Sequence, residues 1–314
     1  MKKSSWKITA LALTLTAVCW LSGCSAHKEI SVTAAETQEE TRELSLNTET
    51  EAETQPEAEP EERCEKDGKI QSYLTGEWVD VAKANRRPLA IMMSNDKAAL
   101  PQYGINHAGV VYEAPVEATM NRYLAVMEDY DDLTRIGSVR SCRTYYVYFA
   151  REFDAIYAHF GQSTFAKPYL KFIDNINGIE GQGSIAYFRS RDKKSPHNAY
   201  ASFEGIQRAI EKLGYSQEYD ADYDGHFKFA KEGTQAVMHG ADVREAYKVT
   251  PGYKLNNPWF EYHEDDGLYY RFQYGGPHMG NEGQIAVKNI IIQYCPAAYY
   301  ASTEYRNINV QADT

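Results

Sequence analysis

Cysteine and basic clusters are scarce in this sequence, and both absences narrow the possible functions. The 314 residues contain five cysteines, and only Cys64, Cys142 and Cys295 lie beyond the N-terminal segment. Three thiols are not a disulfide framework, so core packing must hold the fold together. No part of the chain gathers Lys and Arg into a basic face, which argues against a nucleic-acid partner.

Motifs for metals and for nucleophilic catalysis are also missing. The sequence has no His-x-x-x-His or Cys-pair spacing for zinc and no Gly-x-Ser-x-Gly elbow. His159, His197 and Glu117 could together supply zinc ligands, but no such spacing supports that idea. We therefore expect neither a metal nor a cofactor.

The one long apolar run lies at the N terminus and is typical of an export signal. Three lysines within the first seven residues precede the apolar residues 8–21, a stretch too short and wrongly flanked for a spanning helix. It ends in Leu21-Ser22-Gly23-Cys24, which resembles the lipobox of bacterial lipoproteins. The alternative is an ordinary secretory signal followed by a chance cysteine. The resemblance implies cleavage before Cys24 and a lipid on its thiol, which would anchor the protein at the extracytoplasmic face of the membrane.

The segment after this signal is predicted to be a disordered tether. Residues 25–62 contain twelve Glu against only Lys28 and Arg42, with no aromatic residue and no Gly. Such a segment cannot bury enough apolar surface to fold, and its like charges extend it. The signal carries +3 and the tether −10, which leaves −4 of the total −11 for the rest. The acidity therefore does not indicate a basic ligand.

The remaining chain alternates between patterns typical of strands and of helices. Residues 88–94 form a near-continuous apolar run, as expected of a buried strand, and shorter strand candidates follow at 109–114, 122–128, 155–160 and 185–188. Helical spacing of apolar residues predicts helices over 142–153 and 164–175. A third helix is predicted between Ser202 as N-cap and Gly214 as C-terminal stop.

The C-terminal part is predicted to be rich in strands. Residues 259–263 and 268–274 flank Asp265-Asp266-Gly267 and indicate a hairpin, and 284–294 is a last long strand candidate. We expect the chain to end before this part is complete. The irregular order of elements favours an α+β fold. The predicted divisions are a signal peptide over 1–23, a lipidated Glu-rich tether over 24–84, an α+β domain over 85–220 and a β-rich domain over 221–314.

Four segments of this chain resemble the YerB family of lipoproteins. They are Arg87–Met93, Val111–Glu113, Arg135–Arg143 and Ser195–Asn198, in the order found in that family. The resemblance implies a three-layer α+β sandwich with a smaller C-terminal part, a source among Gram-positive bacteria, and no known reaction. It also implies that the family's C-terminal part continues beyond this chain's end.

Two departures from the family pattern matter for function. Asn95-Asp96 stands where the family usually has Asp-Asn, and Cys142 stands where it usually has Ala between two arginines. The second departure argues against Cys142 as a nucleophile.

Arginines gather just before and inside the start of the predicted helix 142–153. Arg135, Arg140 and Arg143 lie within nine residues, where free helix amides beside guanidinium groups would suit a carboxylate or phosphate. Alternatively, the arginines form structural ion pairs. The acids available for such pairing are Glu113, Glu117 and Asp154.

A second polar segment follows the strand candidate 185–188. It contains Arg189 and Arg191 and continues to His197 and Asn198. Pro196 biases the preceding residue toward extended geometry, so His197 should project from a rigid turn as a candidate ligand-binding group. The alternative is that His197 caps the next helix.

Glu113 and Glu117 flank a proline near a strand end and are candidate catalytic groups. Two close carboxylates could divide acid and base roles, although pairing with the arginines is the alternative. With His197 they would form the acid–base pair of a hydrolase acting on envelope polymers.

The patterns together predict a lipid-anchored binding module of the cell envelope rather than an enzyme. Its arginine-rich cleft, formed by Arg135, Arg140, Arg143, Arg189 and Arg191, would hold an anionic ligand with the help of His197 and Asn198. The expected partner is an envelope glycan, peptide or protein, besides the membrane. Two alternatives stay open, the hydrolase and a protein-interaction scaffold without a small-molecule site.

Overall fold

The computed structural model describes residues 63–230 and 243–295. Three α-helices lie within them: α1 Val81–Ala84, α2 Thr144–Arg151 and α3 Phe203–Leu213. The strands up to α3 are β1 Glu65–Lys66, β2 Lys69–Gln71, β3 Trp78–Asp80, β4 Leu89–Ser94, β5 Val110–Pro115, β6 Asn121–Met127, β7 Ile136–Gly137, β8 Ile156–His159, β9 Asn175–Asn177, β10 Tyr187–Arg189 and β11 Ala199–Ala201. The strands after α3 are β12 Lys248–Val249, β13 Trp259–His263, β14 Leu268–Gln273, β15 Gly276–Pro277, β16 Met279–Gly280, β17 Gly283–Gln284 and β18 Ala286–Val287.

A five-stranded mixed sheet forms the centre of the N-terminal part, in the order β5-β6-β4-β8-β9. The central strand β4 pairs antiparallel with β6 and parallel with β8, and β8 pairs parallel with β9. Every residue of β4 is buried. Its continuous apolar sequence is what a strand covered on both faces requires.

Two hydrophobic cores cover the two faces of this sheet. Ala90 and Met92 point to the core that contains the aromatic residues of α2, whereas Leu89, Ile91 and Met93 point to the core that contains α3. The alternation follows from the two-residue period of a strand. The arrangement of helix, sheet and helix confirms the expected α+β fold and its three layers.

Helix α3 begins and ends at the residues that the sequence predicts. The Ser202 side chain accepts a hydrogen bond from the Gly205 amide at 3.1 Å, and Gly214 ends the helix in the left-handed region with φ +72°. Ile206, Ala209 and Ile210 on its inner face are buried. These are the N-cap and αL stop common to globular helices.

The C-terminal part is a separate small sheet in the order β12-β13-β14-β15, with β18 also paired to β14. Strands β13 and β14 form the predicted hairpin, in register from Trp259 opposite Phe272 to His263 opposite Leu268. The face that carries Phe260, Arg271 and Gln273 is buried.

Three predicted elements need correction. Residues 65–84, placed in the disordered tether, form β1–β3 and α1, because the acidic run ends at Glu62 and apolar residues such as Ile70 and Leu74 become buried. The predicted helix 164–175 is a 3₁₀ segment over Lys167–Phe172 with Pro168 in its first turn. The predicted strand 284–294 is reduced to β18 and the end of β17, and Ile291 is 82% exposed.

Several predictions fall on residues that the structure does not describe. The signal, Cys24, the acidic run to residue 62 and the end of the chain from 296 lie outside the described residues. Within 63–230 and 243–295, every helix is too short or too polar to cross a bilayer.

Candidate anion-binding site

The polar residues of interest meet where the parallel strands β4 and β8 end. Residues 138–142 lie between the two strand ends: the Ser94 amide donates to the Ser138 carbonyl at 2.9 Å, and the Phe160 amide donates to the Arg140 carbonyl at 3.0 Å. The Cys142 amide donates in turn to Gly161 at 2.9 Å. Open sheets commonly bind ligands at the carboxyl ends of their parallel strands.

Arg122, the second residue of β6, is buried at this edge with only 6% of its surface exposed. Its Nη1 donates to the Ser141 carbonyl. Among the described residues, no carboxylate lies within ion-pairing distance of it. Burial, with added repulsion from Arg143 and Arg140, lowers the pKa of Arg122 to about 10. The guanidinium is therefore still charged at neutral pH, although it is unpaired and buried.

Arg143 stands immediately before α2 and forms a two-pronged ion pair with Glu117. Its Nη2 donates to Oε2 at 2.6 Å and its Nε donates to Oε1. Burial raises the pKa of Glu117, but the hydrogen bond and charge of Arg143 outweigh it and leave the pKa lowered. The helix has no side-chain cap at this end.

Arg140 is half-buried and faces a loop that contains a histidine. Its Nη1 donates to the Pro196 carbonyl at 2.9 Å. The next residue, His197, has Nδ1 at 3.5 Å from Ser94 Oγ and Nε2 at 3.8 Å from Asp96 Oδ1. Burial lowers the pKa of His197 despite the opposing charge of Asp96, so the ring is neutral at physiological pH.

The charges at this edge do not balance. Arg122, Arg140 and Arg143 interact electrostatically with one another and with two acids, Glu117 and Asp96. Lys193 also acts electrostatically on His197, beside Arg140 and Asp96. Positive charges therefore outnumber negative ones at this edge. An excess guanidinium charge in a partly buried setting is suited to hold an anion through charge-assisted hydrogen bonds. We name Arg122, Arg140 and Arg143 the arginine cluster.

Arg135 is not part of the arginine cluster. Its guanidinium carbon lies 3.9 Å from the ring centroids of both Tyr103 and Tyr200, and Nη2 pairs with Asp192 at 3.0 Å. The ring contacts and the ion pair give the guanidinium a structural role, while its Nε is buried without a hydrogen-bond partner.

Arg189 and Arg191 also lie outside the arginine cluster. Arg189 donates to Asn198 Oδ1 at 2.6 Å and covers the Phe160 ring at 4.9 Å, so this pair of predicted ligand-binding residues contact each other. Arg191 is exposed on the surface loop. Of the five predicted ligand-binding arginines, the structure brings only Arg140 and Arg143 together.

Glu113 lies in a different polar network, between the N-terminal and C-terminal parts. Its Oε2 accepts from Arg271 Nη2 at 2.7 Å, and both side chains are largely buried. The other oxygen accepts from the side-chain amides of Asn95, Asn121 and Asn256 at 3.2, 2.9 and 3.1 Å.

The same network extends to a second histidine. Arg271 Nη1 donates to His278 Nδ1 at 2.8 Å, and His278 Nε2 donates to Gln102 Oε1 at 2.8 Å. Burial and the adjacent Arg271 lower the pKa of His278 well below its ordinary value. We name the connected side chains of Glu113, Arg271, His278 and Gln102 the interdomain network.

The predicted acid–base pair is not assembled. Glu117 pairs with Arg143 and Glu113 with Arg271, while His197 contacts Ser94 and Asp96. The ion-pair alternative is right for Glu117, which pairs with Arg143, whereas Glu113 pairs with Arg271, an arginine outside the segment that the sequence suggested. His197 also does not cap α3, because Ser202 does.

A shared metal site is not formed by the predicted residues either. His159 is a buried core histidine, with Nδ1 at 2.8 Å from the Gly161 carbonyl and Nε2 at 3.2 Å from Asn175 Oδ1. In the part of the chain that the structure describes, no three His, Cys, Asp or Glu side chains cluster as metal ligands would.

Sequence reasoning missed Arg122. The residue stands at the start of the apolar strand NRYLAVM, where a buried arginine is unusual. That single charge within an otherwise apolar buried strand was the feature of the sequence that could have identified Arg122 as a candidate site residue.

Comparisons with known proteins identify the family. Residues 74–216 match the N-terminal domain, and residues 249–313 the C-terminal domain, of the family described as "Protein of unknown function (DUF3048)". The chain is 33% identical over 194 residues to the Bacillus subtilis (strain 168) protein named "Putative lipoprotein YerB". That match covers 60% of this chain and 54% of the relative, so the chain spans about half the length of that protein.

A solved structure is also similar. The crystal structure of YerB from Bacillus subtilis superposes with a TM-score of 0.59 at 27% identity, covering 76% of this chain and 78% of that one. Fold, domain order and sequence agree. The chain therefore belongs to the two-domain DUF3048 family of unknown function, to which the YerB resemblance pointed.

Proposed function

We propose that this protein is a lipid-anchored component of the bacterial cell envelope that binds an anionic ligand through the arginine cluster. The likeness to a protein named as a lipoprotein supports an anchored, extracytoplasmic location. The export signal ahead of Cys24 supports the same location.

One observation carries the binding proposal, which is the buried and unpaired Arg122. Burying a charge without a partner costs on the order of several kcal/mol, because the ion loses its hydration. Buried charges are therefore usually paired. Arg122 has only one carbonyl acceptor among its described contacts, and two further arginines lie beside it. An anion bound between Arg122 and Arg140 would supply the missing charge.

Binding to purified cell-wall material tests the proposal. The Arg140→Gln variant should bind at least about tenfold more weakly, because a charge-assisted hydrogen bond is lost. Arg208→Gln is the matched control, since Arg208 is exposed on α3 and has only a 3.8 Å contact with Glu204. Equal binding by the wild type and Arg140→Gln, at low salt where charge interactions are strongest, would refute the anion site.

Cell fractionation tests the anchor independently. Cys24→Ala should release the protein from the membrane pellet into the soluble fraction, because the acyl chains would be absent. A variant that stays in the pellet would contradict lipidation at Cys24 and leave the anion site untouched.

A further inference from the structure

A cavity lies at the edge of the central sheet opposite the arginine cluster. Its volume is about 500 Å³, and its lining includes Arg87, Asp154 and Asp174, which stand just before the parallel strands β4, β8 and β9. The arginine cluster lies instead where these strands end, and the six residues of β4 separate the two edges by roughly 17 Å. The cavity is therefore a separate site, and its volume falls within the range of roughly 300–1,000 Å³ that is usual for small-molecule pockets.

The buried arginine in the lining is already fully engaged within the fold. Arg87 Nη1 donates to Asp174 Oδ2 at 2.7 Å, and Nη2 lies 3.3 Å from Asp154 Oδ1. Its Nε donates to the Asp154 carbonyl at 2.7 Å. All three nitrogens have partners, so Arg87 joins the starts of the strands and leaves ligand binding to other groups.

Two exposed cations also line the cavity. Arg151 is the last residue of α2, and Lys171 lies in the 3₁₀ segment before β9. Among the described residues, no carboxylate lies within ion-pairing distance of either, and the Lys171 ammonium lies 4.8 Å from the ring centroid of Phe172. Cations gathered in a concave surface without acidic partners are suited to hold a carboxylate.

Two exposed acids, Asp220 and Asp222, line the same cavity from the segment that follows α3. Within the described part of the chain, neither carboxylate accepts a hydrogen bond, although the Asp220 amide donates to Asp154 Oδ2 at 2.8 Å. Burial raises the pKa of Asp154 while that hydrogen bond and the Arg87 charge oppose the rise, and the charges of Asp220 and Asp174 add to it. Negative charge around Asp154 is therefore not fully compensated, which suits an ammonium group.

The two sets of charges share one cavity without neutralising each other. No ion pair joins Arg151 or Lys171 to the two acids among the residues that the structure describes. A ligand with one charge would leave one set unmatched, whereas a ligand with both charges matches both.

We infer that this cavity binds a small zwitterion of the amino-acid type. The carboxylate of the ligand lies at Arg151 and Lys171, and its ammonium group lies at Asp220 and Asp222. Phe172, which is 54% exposed and lines the cavity, offers apolar surface to the rest of the ligand. The inference goes beyond the proposed anion binding, because it uses no residue of the arginine cluster.

Saturation-transfer NMR titration of small molecules into the full protein tests this inference. The probes are glycine, leucine, phenylalanine, lysine and glutamate, each also in its N-acetylated form and as its amide, with N-acetylglucosamine as an uncharged sugar. At least one amino acid should bind. Its acetylated form lacks the ammonium charge and its amide lacks the carboxylate, so each should bind at least about tenfold more weakly.

Two variants locate the binding in the cavity. Arg151→Gln and Asp222→Asn should each weaken amino-acid binding at least about tenfold, because each removes one of the charges that face the ligand. Asp224→Asn is the control in the same segment, since Asp224 is exposed and pairs with Lys228 at 2.7 Å outside the lining. It should bind the amino acid as the wild type does.

The remaining outcomes separate this inference from the proposed function. Arg140→Gln, which tests the arginine cluster, should leave amino-acid binding unchanged, so either site can fail without the other. The inference is overturned if no amino acid binds, or if both cavity variants bind as the wild type does. Equal binding of an acetylated or amidated form would reduce the cavity to a site for a single charge, and binding of the sugar alone would replace the zwitterion with a glycan.

Discussion

At the scale of single residues, the same side-chain type has different roles depending on what surrounds it. Arg135 lies between two tyrosine rings and pairs with Asp192, so its charge is used within the fold. Arg122 is more deeply buried and has no carboxylate partner among the described residues. The contrast explains why a count of arginines cannot locate a site, whereas the unmatched charge of one of them can.

The cysteine between the two arginines is expected to be inert. Cys142 is fully buried, and burial raises the pKa of its thiol to about 12. Because the thiolate is the reactive form, iodoacetamide at pH 8 should label the exposed Cys64 and Cys295 but leave Cys142 unmodified. Peptide mass spectrometry would measure the labelled fraction at each position.

Unfolding supplies the control for this labelling. In concentrated urea Cys142 should be modified as completely as Cys64, since the difference arises from burial alone. Comparable labelling of Cys142 in the folded protein would contradict the burial and reopen the possibility that it is a nucleophile.

At the scale of elements, a buried ion pair from β5 to β14 links the two parts of the fold. Glu113→Gln should lower the free energy of unfolding by about 3–5 kcal/mol, because it leaves the buried Arg271 without its counter-charge. Urea denaturation followed by circular dichroism would measure the loss.

Another strand ion pair offers a matched control for Glu113→Gln. Glu261 on β13 pairs with Lys248 at 3.3 Å, with 41% and 58% of the side chains exposed. Glu261→Gln should therefore cost less than about 1 kcal/mol. Similar losses in the two variants would mean that the β5–β14 pair is not buried in solution.

Elements with a strong local pattern could be predicted from the sequence. The limits of α3 follow from Ser202 and Gly214, and the hairpin β13–β14 follows from an Asp-Asp-Gly turn between alternating residues. The segment over Lys167–Phe172 was harder to predict, because the spacing of the aromatic residues suits an α-helix, whereas the structure has 3₁₀ geometry there with Pro168 in the first turn.

The candidate site could be predicted only in part, for a physical reason. Arg140 and Arg143 are near α2 in sequence, so local reasoning found them. Arg122 reaches the same edge through strand pairing, and Glu113 meets Arg271 across 158 residues. Such partners are brought together by tertiary packing, which the spacing of apolar residues along the chain does not predict.

At the scale of the whole molecule, the arginine cluster and the interdomain network share one loop. The Tyr274 hydroxyl donates to the Asn95 carbonyl at 2.8 Å, and Asn95 Nδ2 donates to Glu113. The neighbouring Asp96 faces His197 beside Arg140. Docking of the C-terminal part therefore helps to fix the loop that borders the proposed anion site.

The C-terminal part docks partly through His278, which is neutral in the folded protein, so the free energy of unfolding should depend on pH. The pKa of His278 in the folded protein lies well below 6.5, its ordinary value, because of burial and Arg271. As pH falls below about 6.5, His278 takes up a proton in the unfolded chain but stays neutral in the folded chain. Unfolding therefore becomes more favourable. This histidine alone should cost about 1.4 kcal/mol of stability between pH 7.5 and pH 5.5.

Urea denaturation at the two pH values, in wild type and His278→Gln, measures that contribution. The variant should lose about 1.4 kcal/mol less than the wild type over this interval, because glutamine does not titrate there. Ser202→Ala controls for destabilisation as such: loss of the α3 cap should cost about 1 kcal/mol at both pH values and keep the wild-type difference. If His278→Gln and the wild type respond equally to pH, His278 must be accessible to protons in the folded state, and the interdomain network cannot be closed in solution.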